Sequence, residues 1–377
     1  MGDIQHDVRQ QLALLGREPT ATDIAEALRM TGQVVSDSAV LAIQAGITRD
    51  SVGLGILEPL LERPGVSDIV VNGADQVFVD CGAGLELTEL GFADDQAVRH
   101  LAVRLAASVG RRLDDGSPYV DARLANGVRF HAVLTGIAHP GTCLSLRIPA
   151  KTDLSLLDWE RTGGLDPMAG RILRRLVEAR VAFLVSGGTG SGKTTLLGSL
   201  LSLIPHRERI VVVEDSQELR PNHPHVVWLE ARPANAEGVG LITMTDLVRQ
   251  ALRMRPDRLV VGEVRGAELR DLLQALNTGH EGGCGTIHAN SISDLPARLE
   301  ALGALAGLNR EACHAQIAAA IRVVIHVERR GPLRQVCEIG VIRPDATGRI
   351  QTAIAWQARG GLVGEGEGIA ELMEVLA

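Results

Sequence analysis

Lysine and aromatic residues are both scarce in this sequence. Only two of its 38 basic residues are lysines, Lys151 and Lys193, and aromatic residues make up 2% of the 377 positions. The 46 acidic residues give a net charge of −8, which argues against a protein that coats nucleic acid electrostatically but is compatible with a local basic groove. Few aromatic side chains are present to stack on bases. The sequence therefore predicts no bulk binding of nucleic acid.

Paired cysteines and long apolar runs are missing as well. The five cysteines are widely spaced without a C-x-x-C pair, a pattern typical of free thiols in a reducing compartment. The first residues, MGDIQHDVRQQ, carry charges where a signal peptide needs an apolar core. No uncharged apolar stretch approaches the ~20 residues of a membrane span. We expect a cytoplasmic protein that can dock on a membrane protein.

The length predicts two to three domains, and the hydrophobic pattern changes twice along the chain. Residues 1–54 have helical periodicity. Residues 55–150 combine strands with one helix, and Asn126-Gly127 between two alternating runs is a strong hairpin signal. A polar linker follows near residues 150–155. We therefore expect a helical segment at 1–54 and a small α+β domain at 55–150.

From residue 151 to 377, short β-branched runs alternate with helical patterns. Examples of the runs are Phe183-Leu-Val, Ile210-Val-Val-Val and Leu259-Val-Val. This alternation is typical of an α/β domain with a mostly parallel sheet that helices cover on both faces. From about residue 335 the sequence predicts short strands and then a Gly-rich tail.

One motif carries the chemistry. Residues 187–194 match G-x-x-x-x-G-K-[ST] at every fixed position, between an apolar strand and a helix. Glycines let successive backbone N–H groups surround a phosphate, and the helix N-terminus adds its positive dipole end. Lys193 would reach the β- and γ-phosphates of ATP, and the Thr194 hydroxyl would ligate Mg²⁺. The predicted ATP-binding residues are Gly187, Gly188, Thr189, Gly190, Ser191, Gly192, Lys193, Thr194 and Thr195.

Two acidic residues follow apolar strand runs at positions where a phosphate site needs them. Glu214 follows Ile210-Val-Val-Val, and Glu263 follows Leu259-Val-Val-Gly. The carboxyl ends of parallel strands share the sheet edge at which ligands bind. Carboxylates at that edge can hold Mg²⁺ through water or orient an attacking water. The predicted Mg²⁺ ligands are therefore Thr194, Glu214 and Glu263, the two carboxylates through water.

Histidines near residue 285 are open to several interpretations. His280 and His288 are eight positions apart across glycines and match no zinc signature such as H-E-x-x-H. Either histidine could be a satisfied turn residue. A strand that ends at Thr286-Ile287-His288 could instead place the imidazole of His288 near the γ-phosphate.

These segments occur in the order of a known family. The chain resembles the type II/type IV secretion ATPase superfamily, and is most similar to its tight-adherence pilus and conjugal-transfer branch. The matching segments are residues 187–194, Glu214-Asp215 with Glu218-Leu219, Gly262-Glu263 with Arg265, and Thr278-Gly279-His280 with 286–290. The cysteine-rich zinc module of the type II members is missing here.

The resemblance implies a RecA-like P-loop domain, a hexameric ring and ATP hydrolysis that drives pilus assembly or export. It also implies an inner-membrane platform protein as partner, and a location at the inner face of the cell membrane. By position, Glu263 becomes the general base or water-positioning carboxylate, Glu214 a ligand of Mg²⁺ through water, and His288 a sensor of the γ-phosphate. The arginines that would close over the nucleotide are Arg123, Arg129 and Arg147.

Proteins with other functions also contain a P-loop, and the sequence disfavours each of these alternatives. A RecA-type nucleic-acid motor or a conjugative DNA-transfer ATPase would use the same ATP chemistry, but the acidic charge and the few aromatics disfavour DNA as a substrate. A small-molecule kinase would leave the first domain unexplained. A non-hydrolysing assembly factor would have no need of both Glu214 and Glu263. A transporter ATPase of the ABC type lacks its L-S-G-G-Q-like segment here.

Overall fold

In the computed structural model, the chain divides into two compact units, Met1–Ala150 and Lys151–Ala377. The structure describes residues 26, 53–149, 154–234, 238–331, 333–359 and 362–377. Most of the predicted helical segment at 1–54 and the middle of the predicted linker lie outside these residues. Within the described residues, no helix combines the length and the apolar character that crossing a membrane requires.

The first unit is an antiparallel sheet with a helix on one face. After α1 (Glu58–Leu61), its strands are β1 (Asp68–Asn72), β2 (Val77–Asp80), β3 (Leu85–Leu87), β4 (Tyr119–Arg123), β5 (Arg129–Val133) and β6 (Cys143–Arg147), and the helix is α2 (Asp95–Ser108). The strand order is β3-β2-β1-β6-β5-β4. Alternate residues of the strands pack in one core with the apolar face of α2. The positions between them, on the opposite face of the sheet, are half-buried or exposed.

The predicted hairpin at Asn126-Gly127 is confirmed. Strands β4 and β5 pair antiparallel, and the backbone N–H of Leu124 donates to the Val128 carbonyl at 2.8 Å. Gly127 takes the left-handed conformation, with a φ of 86°, that such a three-residue loop needs at its last position.

The second unit is built around one mixed sheet with the order β15-β14-β13-β12-β7-β11-β10-β8-β9. Every pair from β12 across to β9 is parallel, and the remaining pairs are antiparallel. The strands are β7 (Phe183–Gly187), β8 (Ile210–Glu214), β9 (Val226–Glu230), β10 (Arg258–Val264), β11 (Cys284–His288), β12 (Val323–Arg330), β13 (Leu333–Pro344), β14 (Ile350–Arg359) and β15 (Leu362–Glu365).

Helices cover both faces of this sheet. They are α3 (Leu156–Arg161), α4 (Pro167–Glu178), α5 (Lys193–Leu201), α6 (Met244–Ala251), α7 (Glu268–Leu276), α8 (Leu295–Leu305), α9 (Arg310–Ala320) and α10 (Ile369–Val375). Phe183 and Val185 of β7 pack in one buried cluster, whereas Leu184 between them packs in another. This two-sided burial explains the continuous apolar runs of the central strands. The predicted α/β class is confirmed.

The end of the chain differs from the prediction of short strands. β13 has 12 residues and β14 has 10, and the two form an antiparallel extension of the sheet. Residue pairing across β12, β13 and β14 continues past Gly340. A Cβ atom there would lie only 3.0 Å from the Ala353 carbonyl oxygen, so the glycine is needed for close packing within the strand.

Candidate nucleotide site

The loop between β7 and α5 has the geometry of a phosphate cradle. Gly192 precedes α5 in a left-handed conformation with a φ of 100°, and a Cβ atom there would lie 2.7 Å from Cδ of Arg334. At Gly187 a Cβ atom would lie 2.3 Å from the Val327 carbonyl oxygen. Both positions therefore require glycine. Thr189 and Gly190 lie exposed at the tip of the loop.

Lys193 bends back over this loop. Its Nζ donates to the carbonyl oxygens of Gly187 and Gly188, at 3.1 and 2.8 Å, and its side chain is buried. Burial lowers the pKa of Lys193, and the nearby charge of Glu263 opposes that effect. The ammonium group thus sits at the mouth of the cradle, held by acceptors that a phosphate oxygen can replace.

Other loop side chains complete the cradle. The Ser191 hydroxyl is buried and has no hydrogen-bond partner among the described residues. Thr194 and Thr195 are half-buried in the first turn of α5, where the backbone N–H groups have no partner within the helix. An unpaired buried hydroxyl beside free N–H groups is the donor set that an anion satisfies.

Glu214 is the last residue of β8 and is buried. Its Oε1 accepts from the backbone N–H groups of Glu218 and Leu219, at 3.1 and 3.0 Å. Its Oε2 is buried without a hydrogen-bond partner among the described residues. Burial raises the pKa of Glu214 to about 7, although the hydrogen bonds from Leu219 and Glu218 act in the opposite direction.

The donor set fits Mg²⁺ bound together with a nucleotide. No group of three or more His, Cys, Asp or Glu in the described part of the chain could hold a metal by itself. Mg²⁺ characteristically takes one or two carboxylates, water and phosphate oxygens rather than a full set of protein ligands. The unpaired Oε2 of Glu214 and the Thr194 hydroxyl are ligands of that kind.

Glu263 lies inside β10, one residue before the strand ends, and not directly after the strand as the sequence suggested. Its Oε2 accepts from Nη2 of Arg265 at 2.5 Å, and Nη1 of the same arginine donates to Oδ2 of Asp215 at 2.9 Å. The arginine therefore bridges Glu263 near the end of β10 and Asp215 directly after the neighbouring β8. In the sequence Arg265 stands out only as part of the Gly262-Glu263-x-Arg265 motif, and no local pattern predicts this bridge.

His288 ends β11 and lies in register with Gly187 of the neighbouring β7, which places it beside the P-loop. Two residues earlier, the buried Thr286 hydroxyl donates to the Gly262 carbonyl oxygen at 2.6 Å and ties β11 to β10. His280 lies elsewhere, in a turn where its Nδ1 is 3.3 Å from the Ala275 carbonyl oxygen. The structure brings His288 to the loop and does not bring His280 there.

The three arginines of the first unit lie in one row across its sheet. Arg123 on β4 is opposite Arg129 on β5, which is opposite Arg147 on β6. Arg129 and Arg147 have carboxylate neighbours, with Arg147 3.4 Å from Asp68. Like charges on directly opposed residues destabilise a sheet, and the carboxylates of Asp121 and Asp68 offset that repulsion here.

Two further contacts beside the P-loop could not be found from the sequence. Trp159 and Arg334 pack against Gly192, and Trp159 Nε1 donates to the Ser199 hydroxyl on α5 at 3.1 Å. On the other side, the buried Ser186 hydroxyl lies 2.9 Å from Nδ1 of His326. Both contacts join residues far apart in the chain and hold the two ends of the loop.

A family model and two related proteins each match most of this chain. The family model described as type II/IV secretion system protein matches residues 50–375. A putative conjugal transfer protein of Mycobacterium tuberculosis is 52% identical over 349 residues, which is 90% of this chain and 98% of that protein. The type IV secretion system protein PtlH of Bordetella pertussis is 34% identical over 76% of this chain and 93% of its own.

Solved structures show the same fold. The pilus retraction motor PilT with bound ADP aligns with 79% of this chain and 81% of its own at a TM-score of 0.54 and 22% identity. The ATPase DotB of Legionella pneumophila aligns with 79% of this chain and 78% of its own at a TM-score of 0.51 and 19% identity. At these identities the likeness concerns the fold alone.

Proposed function

The chain belongs to the type II/IV secretion system protein family, and from that premise we propose that it is an ATP-hydrolysing motor for pilus assembly or macromolecular secretion. The resemblance read from the sequence is thereby confirmed at the level of the family. One observation carries the ATPase proposal: the P-loop lysine, two strand-end carboxylates and His288 meet at one edge of a parallel sheet.

In the proposed mechanism the β- and γ-phosphates of ATP replace the carbonyl oxygens that now accept from Lys193. Backbone N–H groups at the start of α5 and the Ser191 hydroxyl surround the phosphates. Bound Mg²⁺, held by Thr194 and by Glu214 through water, would neutralise charge on the phosphates. Glu263 orients a water and takes its proton, and His288 reports on the γ-phosphate from the adjacent strand.

We further propose that the motor is a RecA-like hexameric ring in which moving domains close over the bound nucleotide. The row of Arg123, Arg129 and Arg147 supports this proposal, because an arginine delivered to the transferring phosphate contributes on the order of 10³–10⁵ in rate. An inner-membrane platform protein is the proposed partner, at the inner face of the cell membrane. The tight-adherence pilus is one system that the proposal covers.

Conjugative DNA transfer is the second candidate, and the designation of the Mycobacterium tuberculosis relatives as putative conjugal transfer proteins favours it. The two candidates differ in what stimulates turnover. Phosphate release by the purified full chain should rise when membranes that contain its platform protein are added, and should not respond to single-stranded DNA. Stimulation by DNA alone would favour the second candidate, an ATPase that acts on DNA. Absence of turnover with either addition would contradict both candidates.

A further inference from the structure

Arg265 forms an ion pair with Glu263, the carboxylate that orients water in the proposed mechanism. Its guanidinium donates to Oε2 of Glu263 at 2.5 Å and to Oδ2 of Asp215 at 2.9 Å. The hydrogen bond with Glu263 raises the pKa of Arg265, so the arginine is charged throughout the range in which proteins work. While this bridge persists, Glu263 has one oxygen committed to the arginine and cannot act fully on a water.

The backbone of Arg265 is held by hydrogen bonds, whereas its side chain is exposed and has room to change rotamer. The N–H groups of Arg265 and Gly266 both donate to Oε1 of the buried Glu268, at 2.6 and 2.7 Å. These bonds fix the turn after β10. The side chain of Arg265, in contrast, is 59% exposed. A rotamer change therefore moves the guanidinium while the turn stays in place.

The phosphate site lies within electrostatic range of this side chain. The charges of both Glu263 and Arg265 act on Lys193. Strand β10 pairs with β11, and β11 pairs with β7, which leads into the P-loop. A terminal phosphate held by Lys193 would lie at the same sheet edge as Arg265.

We propose that Arg265 alternates between two anionic partners, Glu263 in the nucleotide-free chain and the terminal phosphate of bound ATP. This inference rests on the proposed function, since it takes ATP as the substrate. A γ-phosphate offers more negative charge than a carboxylate and accepts two parallel hydrogen bonds from a guanidinium. Glu263 would then become free to orient water only when a γ-phosphate is present, and ADP would leave the bridge closed.

The first test compares binding of ADP with binding of the non-hydrolysable analogue adenylyl imidodiphosphate. Removal of hydrogen bonds to a charged group should weaken binding of the triphosphate analogue by Arg265→Ala about tenfold or more. Its affinity for ADP should stay within about twofold of wild type. Arg249→Ala is a matched control, because Arg249 is 58% exposed and lies 2.8 Å from Asp271 on the neighbouring helix. The control should bind both nucleotides as wild type does.

A double-mutant cycle tests the exchange of partners itself. Glu263→Gln removes the charge of one carboxylate partner of Arg265 and leaves the other, Asp215, in place. It should therefore tighten binding of the triphosphate analogue more in the wild-type background than in Arg265→Ala. The Arg265→Ala background also controls for the simple loss of a negative charge near the phosphate. An equal effect in the two backgrounds would contradict the exchange.

Other results separate this inference from the proposed function. Equal loss of ADP and analogue binding in Arg265→Ala would show a structural residue, and faster turnover with unchanged binding would show a plain restraint on Glu263. Either result overturns the exchange while wild-type hydrolysis still supports the motor. Absence of hydrolysis by the wild-type chain with all its partners would instead contradict the proposed function.

Discussion

At the scale of single residues, the two acids of the site have different surroundings although both lie at the ends of neighbouring strands. Glu214 is buried, uses one oxygen to hold the following loop and keeps the other unpaired. Glu263 is 22% exposed and contacts the exposed side chain of Arg265. The buried acid suits a fixed ligand, and the accessible acid suits a group that meets water.

Substitution of Glu263 by Gln should separate binding from hydrolysis. The amide keeps the shape of the side chain but cannot take a proton, so turnover should fall about 10²–10⁴-fold while ATP binding persists. Phosphate release and nucleotide titration on the same preparation measure the two properties. Glu214→Gln provides the comparison, and if it proves the more damaging variant at saturating Mg²⁺, the roles of the two acids are reversed.

The sequence predicted the residues of the site better than the contacts between them. Lys193, Thr194 and the glycines follow from a local pattern in which each residue type has its own chemical reason. The bridge from Arg265 to Asp215 and the packing of Arg334 on Gly192 depend on strand order and on tertiary packing. No spacing within a short segment encodes such contacts.

At the scale of elements, prediction succeeded where one short segment sets the geometry. The Asn126-Gly127 hairpin needs only its turn residues and the flanking alternation. The antiparallel strands β13 and β14 are longer than the short strands that the sequence predicts from about residue 335. β13 pairs with β12 on one side and with β14 on the other, and this pairing of neighbouring strands, which sets their length, cannot be read from the sequence.

A buried ion pair lies at the amino-terminal ends of β8 and β10, away from the P-loop, and should stabilise the second unit. Glu208, just before β8, accepts from Arg258 at the start of β10 and from Arg180, both at 2.7 Å. Arg258 is only 2% exposed. Glu208→Gln should lower the free energy of unfolding by about 3–5 kcal/mol, because it leaves a buried charge uncompensated. Denaturant unfolding measures the loss.

An exposed ion pair provides the control for this prediction, and the surroundings of Glu208 set its pH dependence. Glu178→Gln breaks an exposed pair with Arg175 and should cost less than about 1 kcal/mol. Burial opposes ionisation of Glu208, but the hydrogen bonds from Arg258 and Arg180 outweigh it and hold its pKa below the ordinary value of 4.5. The stabilisation is therefore present above about pH 4.5 and is lost as pH falls through the lower folded-state pKa. An equal gap between wild type and Glu208→Gln at pH 7 and below pH 3 would contradict this account.

At the scale of the whole molecule, the proposed ring predicts that the first unit contributes to catalysis. Arg123→Ala and Arg129→Ala should each reduce turnover at least tenfold, with ATP binding by the P-loop retained, if those arginines reach the transferring phosphate. Arg112→Ala removes an exposed arginine that pairs with Asp114 and should leave turnover unchanged. Phosphate release measures these effects, and the mass of the full chain with ATP measures assembly. Full activity of both arginine variants, or a monomer at all concentrations, would contradict the ring.

The most direct test of the central claim is phosphate release by Lys193→Ala beside Lys151→Ala, a comparison that the scarcity of lysine makes clean. Loss of the ammonium removes the charge held against the β- and γ-phosphates. Lys193→Ala should lose nucleotide binding or turnover and keep wild-type unfolding behaviour, whereas Lys151→Ala should hydrolyse ATP as wild type does. Undiminished hydrolysis by pure Lys193→Ala would contradict the account.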